Sequence, residues 1–532
     1  MSTRFATRAA ACAALALFAT LPAFADDAKL AAEVEALRAA IAEQRAQLDA
    51  QAKLLQAQAA QLDALTQKLA PQLAQQPAPA KSAAQDAPKL VLTNNRPVIT
   101  AADGRSSFQV RAIAQIDAAK YGEDAEGPLA TDFRRGSVGA TANRENNAAR
   151  DFSDGAFLRR ARFGAEGVIN KDFNYRLLLE LGGTGTEGPA RINDAWIAYT
   201  GFAPFTLQLG AFAPPANMDD GTTPEDLAFL ERASASELSR SMGGADSRFG
   251  FAVKANGARW MSSLALTSRT VNDPEVFDPQ SALVGRAGGL VATSSDYNVH
   301  VGGSATFVLH TPDQGSSAAA PRRSIRFRDR PEIRVDSVRL IDTGVIDAEG
   351  ASVIGAEFGA NWKNFYLQGE HFWFDVERSA ASTLPDPSFT GYYLQGSWVI
   401  TGESRRYNPV TGSFQIPRAK TPFASGGGIG AWEVAARYSR MNLNFEEGLA
   451  GTAAVPGSVR GGDQNVITLG VNWYVNNNFK VMMNYLLIDV DRLNPAGPGN
   501  LTPFGAAPAT PPLGVQIGQD LDVIALRTQF AF

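Results

Sequence analysis

Cysteine, histidine and lysine are all scarce in this chain of 532 residues, and each scarcity removes a class of chemistry. The one cysteine, Cys12, falls within the first 25 residues, so nothing downstream can form a disulfide or a thiolate-ligated metal site. There are three histidines, His300, His310 and His371. His300 and His310 lie ten residues apart on one strand-like run, roughly 33 Å at about 3.3 Å per residue, and cannot meet at a metal or in a triad. No Gly-x-Ser-x-Gly, Walker, dinucleotide or His-Glu-x-x-His pattern occurs. The expectation is a protein with no catalytic residues, metal or cofactor, a barrel hydrolase being the one enzyme reading left open. Beyond the N-terminus there is also no run of about 18 apolar residues, so no membrane-spanning helix is expected. Spanning strands escape that test, because their alternating faces average to low hydropathy. The 49 basic and 54 acidic residues give a net charge of −5, which argues against nucleic acid as a partner.

What is present begins with a signal-like segment, residues 1–25. Arg4 and Arg8 precede a short apolar stretch, Ala9 to Leu21, and Ala23-Phe24-Ala25 supplies the small-residue cleavage pattern. Its removal takes the net charge from −5 to −7. Residues 26–70 read as a coiled-coil helix. Val34, Ile41, Leu48, Leu55, Leu62 and Leu69 recur at every seventh position, and Leu30, Leu37, Gln44, Gln51, Gln58 and Leu65 fill the second seam. Such a helix would be roughly 60 Å long at about 1.5 Å per residue, and alone it would be marginal, so an oligomer is expected. A Pro/Ala-rich linker, 71–89, follows.

From residue 90 to 532 the texture is that of strands. Phe108, Val110, Ala112, Ala114 and Ile116 alternate with Gln109, Arg111, Gln115 and Asp117; Phe479, Val481, Met483, Tyr485 and Leu487 alternate with Lys480 and Asn484. One apolar and one polar face on strand after strand predicts an all-β transmembrane barrel with lipid outside and water inside. About 16 antiparallel strands are expected, at 106–121, 155–169, 173–183, 191–201, 204–213, 247–257, 258–270, 295–310, 333–341, 352–362, 364–377, 389–400, 430–444, 463–476, 478–491 and 519–532. Short turns at 170–172, 202–203, 255–257 and 476–478 alternate with long loops at 122–154, 214–246, 271–294 and 491–518. Two long segments, 311–332 and 401–429, fall on the short-turn side and are expected either to fold inward or to mark a miscount. Tyr199, Phe205, Trp432, Tyr438, Trp473 and Tyr485 suit interfacial girdles.

The polar face then lines a lumen. Arg111, Arg160, Arg162, Arg176, Lys254, Arg269, Arg437, Lys480 and Arg527 all share lumen parity and are the candidate pore-lining residues. Rings of such cations bias a pore toward anions. The competing reading pairs them with the lumen-parity carboxylates Asp117, Glu166, Glu180, Glu357, Glu370 and Glu433, leaving a near-neutral wall. Arginine outnumbers lysine 38 to 11, a preference that favours bidentate oxyanion contacts over mere solubility. The loop 214–246 carries Glu231, Arg232 and Arg240, candidates for a constriction of mixed charge.

Several stretches together carry a family resemblance. They are Phe157-Leu158-Arg159-Arg160-Ala161-Arg162-Phe163, Ile192-Asn193-Asp194-Ala195-Trp196-Ile197-Ala198-Tyr199 and Leu207-Gln208-Leu209-Gly210-Ala211-Phe212, then Phe229-Leu230-Glu231-Arg232, Thr401-Gly402-Glu403, Gly430-Ala431-Trp432-Glu433 and Thr468-Leu469-Gly470-Val471-Asn472-Trp473-Tyr474. From about Phe157 to the end the chain resembles the phosphate-selective porins of the O/P type. The resemblance implies a trimer of 16-stranded barrels in the outer membrane of a Gram-negative bacterium, giving passive diffusion to small anions, with phosphate among the candidates. It also implies an arginine ladder leading to a lysine-rich zone, yet Lys254 and Lys480 are almost the only lumen-parity lysines. The alternating C-terminal run ending in Phe532 resembles the signal read by barrel-assembly machinery. On this reading the partners are the lipid bilayer, that machinery, small anions and two further copies of the chain, and the coiled coil lies in the periplasm. The alternative is a weakly selective general porin that also tethers the outer membrane through its coiled coil.

Overall fold

A computed structural model describes residues 87–93, 96–125, 152–182, 191–245, 247–272, 277–315, 321–423, 427–495 and 514–532, with seven isolated helical positions between 35 and 61. The expected signal segment, all twelve named seam positions of the coiled coil and the linker 71–86 lie outside the described residues. Residues 87–532 form one compact unit.

Sixteen strands close on themselves. In chain order they are β1 Ser107–Ala125, β2 Gly155–Ile169, β3 Phe173–Glu180, β4 Arg191–Phe202, β5 Phe205–Phe212, β6 Arg248–Asn256, β7 Trp260–Thr270, β8 Ser281–Thr293, β9 Tyr297–His310, β10 Gly350–Trp362, β11 Phe365–Glu377, β12 Ser388–Val399, β13 Ala431–Phe445, β14 Val459–Tyr474, β15 Phe479–Asp491 and β16 Gln519–Ala531. Each pairs antiparallel with the next, and β16 returns to β1 with Ala531 opposite Ile113 and Gln519 opposite Ala125. Closure removes every unpaired edge, which a membrane interior demands. A hairpin, Lys89–Thr93 and Arg96–Thr100, extends the wall at the short-turn end by pairing Val98–Thr100 with Ser107–Gln109.

The outward face is apolar and exposed, as in Leu209, Leu264, Ile354, Leu394, Leu469 and Ile524. Aromatic residues ring its short-turn end: Phe365 lies 5.9 Å from both Trp362 and Trp398, Trp432 lies 5.4 Å from Trp473, and Phe479 lies 4.8 Å from Phe530. A second outward group, His371, Trp373, Tyr392 and Tyr438, sits further along β11 to β13. Two aromatic levels bracketing an apolar band are what a bilayer's two interfaces select.

The strand count of 16 stands, but two assignments are corrected. Residues 333–341 form no barrel strand; Ile333, Leu340 and Ile341 are buried among Phe327, Phe372 and Phe374 inside the barrel. The missing strand is β8, inside the segment expected to be the loop 271–294. Its period is hidden because its lumen face begins with Ala282 and Val284, covered from within, while Gly285, Ala287 and Gly289 point outward. With β8 in place, 311–349 joins the long-loop end and explains itself, while 400–430 remains a long connection at the short-turn end.

Candidate functional site

Among the described residues, three long segments enter the barrel. The first, 213–247 between β5 and β6, carries two short helices, α1 Met218–Gly221 and α2 Ser234–Ser241. It docks through its backbone: Met218 and Asp219 N–H donate to Glu370 at 2.7 and 3.0 Å, Leu230 N–H donates to Asn484 Oδ1 at 2.9 Å, and Asn472 Nδ2 donates to Ala228 O at 2.8 Å. Glycine makes the room. A Cβ at Gly359 would lie 2.4 Å from Met218 Cε, and one at Gly391 would lie 2.8 Å from Ala235 Cβ. The second segment, 311–349, meets the first at Glu332, which accepts from Ser234 N–H at 3.0 Å and pairs with Arg437. The third, 400–430, rises from the short-turn end. Arg286 of β8 donates to Thr411 O and Gly412 O at 2.6 and 2.8 Å, and Arg405 forks onto Glu433 at 2.7 and 2.8 Å. His300 is buried at the base of this segment, between Glu357 at 2.8 Å and Tyr407 Oη at 2.9 Å.

Along the wall from β16 through β1 to β4 the arginines are paired. Arg527 forks onto Asp117 at 2.6 Å, Arg162 meets Glu180 at 2.7 Å, and Arg176 reaches Glu166 at 2.8 Å and Asp194 at 3.7 Å. Arg111 pairs with Glu225 of the first segment and lies 3.9 Å from Glu166. A bulge between Gln115 and Ile116 of β1 opposes Arg160 and Leu158, and leaves Arg159 as the extra residue. Arg159 and Arg160 are therefore both buried inward, where strict alternation would send one out. Arg159 forks onto Glu231 at 2.7 and 3.0 Å.

These pairs border open space. A cavity of about 450 Å³ at the long-loop end is lined by twelve arginines, among them Arg111, Arg159, Arg160, Arg162, Arg176, Arg330 and Arg334, against six carboxylates, Glu180, Asp194, Asp220, Glu225, Glu237 and Asp329. Among the described residues no lysine lines it. A second cavity of about 320 Å³ at the short-turn end carries Arg96, Arg111, Arg406, Arg418 and Lys480 with Glu225 and Asp226. Both cavities touch Arg111, Thr223 and Glu225, so they adjoin at these residues.

The expected pore-lining residues thus separate. Arg111, Arg160, Arg162 and Arg176 share the upper cavity, and Lys480 lines the lower one while donating to Leu227 O at 2.8 Å. Arg437 and Arg527 lie beneath the first segment, Arg437 donating to Glu231 O at 2.9 Å. Lys254 sits 5.6 Å over the Phe212 ring, and Arg269 stands near the far rim on β7. Of the constriction candidates, Glu231 is buried under arginines, Arg232 donates to Asp219 O and Thr222 O at 3.1 and 2.7 Å, and Arg240 meets Asp220 at 2.5 Å. Sequence reasoning missed Arg159, Arg286, Arg405 and the arginines of 311–349. Only the run Arg159-Arg160-Ala161-Arg162 carried a hint of the first.

In the inserted segments the charges perturb one another. Burial would raise the Glu231 carboxyl, but Arg159, Arg160 and Arg527 outweigh it and hold it well below the usual range. Burial, then the neighbouring Glu237 carboxylate, pushes Asp329 up to about 7. The arrangement can attract anions into a passage whose cations are held in place by carboxylates rather than left mobile.

Known proteins similar to this chain include porins. A Caulobacter vibrioides protein described only as uncharacterized is 26% identical over 436 residues, 80% of this chain and 76% of its own. Porin O of Pseudomonas aeruginosa is 26% identical over 355 residues, 64% of this chain and 78% of its own. Among solved structures, an anion-selective porin from Comamonas acidovorans aligns with a TM-score of 0.43 at 11% identity, over 80% of this chain and all of its own. The model of the family "Phosphate-selective porin O and P" matches residues 131–503, and the chain therefore belongs to that family.

Proposed function

We propose that the chain is an outer-membrane channel giving passive diffusion to small anions. The observation that supports this best is the upper cavity, with twelve arginines to six carboxylates, a surplus of six positive charges. A surplus of fixed cations between low-dielectric walls concentrates anions and repels cations. Phosphate is a weakly favoured passenger. Arginine forks suit it, but they are already engaged by carboxylates, and the lysine zone of the family has no counterpart in the upper cavity. Reversal potentials in a KCl gradient should show anion preference, and chloride current should need millimolar or higher phosphate for block. Cation preference would refute the reading, and block by micromolar phosphate would make this a dedicated phosphate channel. A weakly selective general porin is the second reading, favoured by the pairing of Arg162, Arg176 and Arg527 with carboxylates. The functional unit is a homotrimer inserted by the barrel-assembly machinery through Phe532, with the coiled coil 26–70 reaching roughly 60 Å into the periplasm. A monomeric mass in mild detergent would refute the trimer.

A further inference from the structure

The two cavities share lining residues on the β1 wall and the first inserted segment, and a carboxylate of the protein itself is among them. Glu225 lines both cavities and pairs with Arg111 from the β1 wall. We propose that Glu225 is a tethered anion: its carboxylate occupies the docking position of a passing small oxyanion, and passage requires the solute to displace it from Arg111. This rests on the anion-channel reading and deepens it by naming the residue that sets oxyanion affinity.

Three observations distinguish Glu225 from a structural carboxylate. First, Glu231, six residues further along the same segment, is wrapped on both oxygens: Arg159 and Arg527 donate to one at 2.7 Å each, and Arg159 donates to the other at 3.0 Å. Glu225 engages only one oxygen, and among the described residues its Oε2 and the Nε of Arg111 are both without a partner. Both atoms are buried, so this spare donor capacity of Arg111 opens to an oxyanion only when the Glu225 side chain swings away. Second, the segment does not depend on this side chain for its position. Beside it the backbone is held by Gln529 Nε2 on Glu225 O at 3.1 Å and by Lys480 Nζ on Glu225 O and Leu227 O at 3.3 and 2.8 Å. Third, the carboxylate stands where the wall's cations converge. Although burial raises its carboxyl, Arg111 first, then Arg162 and Arg176, hold it below the usual range, so it stays charged at neutral pH. The same three arginines line the upper cavity. A solute oxyanion arriving by that cavity is drawn to the position Glu225 already holds.

The exchange makes and breaks no covalent bond. A solute oxyanion replaces Glu225 on the Arg111 guanidinium, the loop carboxylate swings into the cavity, and it returns when the solute leaves. Such a competitor lowers affinity for every oxyanion and keeps residence short, which suits a diffusion pore.

The test is Glu225→Gln in planar bilayers on the full-length protein, with Glu225→Ala as the second variant and acetate and inorganic phosphate as probes. The neutral variants should conduct more chloride, keep or increase anion preference, and be half-blocked by about tenfold less acetate and phosphate, the effect of one charge-assisted contact. Unchanged conductance and block in both variants would overturn the proposal. So would a rise in conductance with a fall in anion preference, the signature of a loosened segment. The wild-type reversal potential in the same bilayers separates the two claims. A cation-preferring wild type refutes the anion channel itself, whereas an anion-preferring wild type with unresponsive variants refutes the tethered anion alone.

Discussion

Replacing Glu231 by Gln should undock the inserted segment 213–247 without unfolding the barrel. Glu231 is the point where separate elements converge. It accepts from Arg159 of β2 at 2.7 and 3.0 Å and from Arg527 of β16 at 2.7 Å, lies 3.3 Å from Arg334 and 3.9 Å from Arg160, and its carbonyl accepts from Arg437 of β13. Arg527 keeps Asp117 when Glu231 is lost, but among the described residues Arg159 has no other carboxylate. Removing one partner of a buried pair costs about 3–5 kcal/mol, and the amide, which retains one acceptor, should fall at the lower end. Barrel closure rests on backbone ladders that the substitution leaves intact, so the loss is concentrated in docking of the segment. About 3 kcal/mol raises the undocked population on the order of a hundredfold. Limited proteolysis within 213–247 should accelerate accordingly, and open-channel current noise should rise, while the heat-modifiable electrophoretic mobility of the barrel is kept. Glu231→Asp should lie between. Protease protection equal to wild type would refute the view that this carboxylate holds the segment.

Two further outcomes follow from the charges around the passage. Asp329, pushed up to about 7, gains its charge as pH rises through neutrality and removes one unit from the cavity's positive surplus, so anion preference should fall between about pH 6 and 8 and Asp329→Asn should abolish that step. The stability sign is the same: the folded state holds this proton more tightly than an unfolded Asp of pKa about 3.9, so the contribution is complete at acid pH and lost as pH rises through about 7. Arg96, reaching Glu166 at 2.9 Å from the hairpin before β1, adds a cation to the lower mouth, and Arg96→Gln should reduce anion preference measurably with no change in trimer mass.

The barrel was legible wherever lipid and water imposed opposite faces on successive residues, as on β1, β15 and β16. It became illegible where protein replaced water inside. Ala282 and Val284 of β8 face the lumen but are buried, so no polar parity marked the strand. Conversely, Ile333 and Leu340 alternate with charges in sequence because an inserted segment also has two sides, one on the core and one on the cavity. Lumen parity located Arg111, Arg160, Arg162 and Arg176, since parity is a local property. It could not tell them from Arg437 and Arg527, which occupy equivalent positions but are roofed by a segment arriving from more than two hundred residues away. Arg159 escaped because a bulge shifts parity by one without leaving a mark on composition. The long connection 400–430 was placed at the correct end, and what makes it fold inward is Arg286 and Glu433 on two distant strands.

If the arginine surplus in the upper cavity sets selectivity, charge reversal on the wall must abolish it. Each Arg→Glu change removes two units, so Arg160→Glu, Arg162→Glu and Arg176→Glu together take the lining's surplus from six positive charges to none. In a tenfold KCl gradient an ideally anion-selective pore gives about 59 mV. The wild type should lie on the anion side of zero, the triple variant should fall to near zero, and the triple Arg→Gln variant, which retains half the surplus, should lie between. A triple charge reversal that inserts normally and leaves the wild-type reversal potential unchanged would show that selectivity does not arise from the arginine surplus of this cavity.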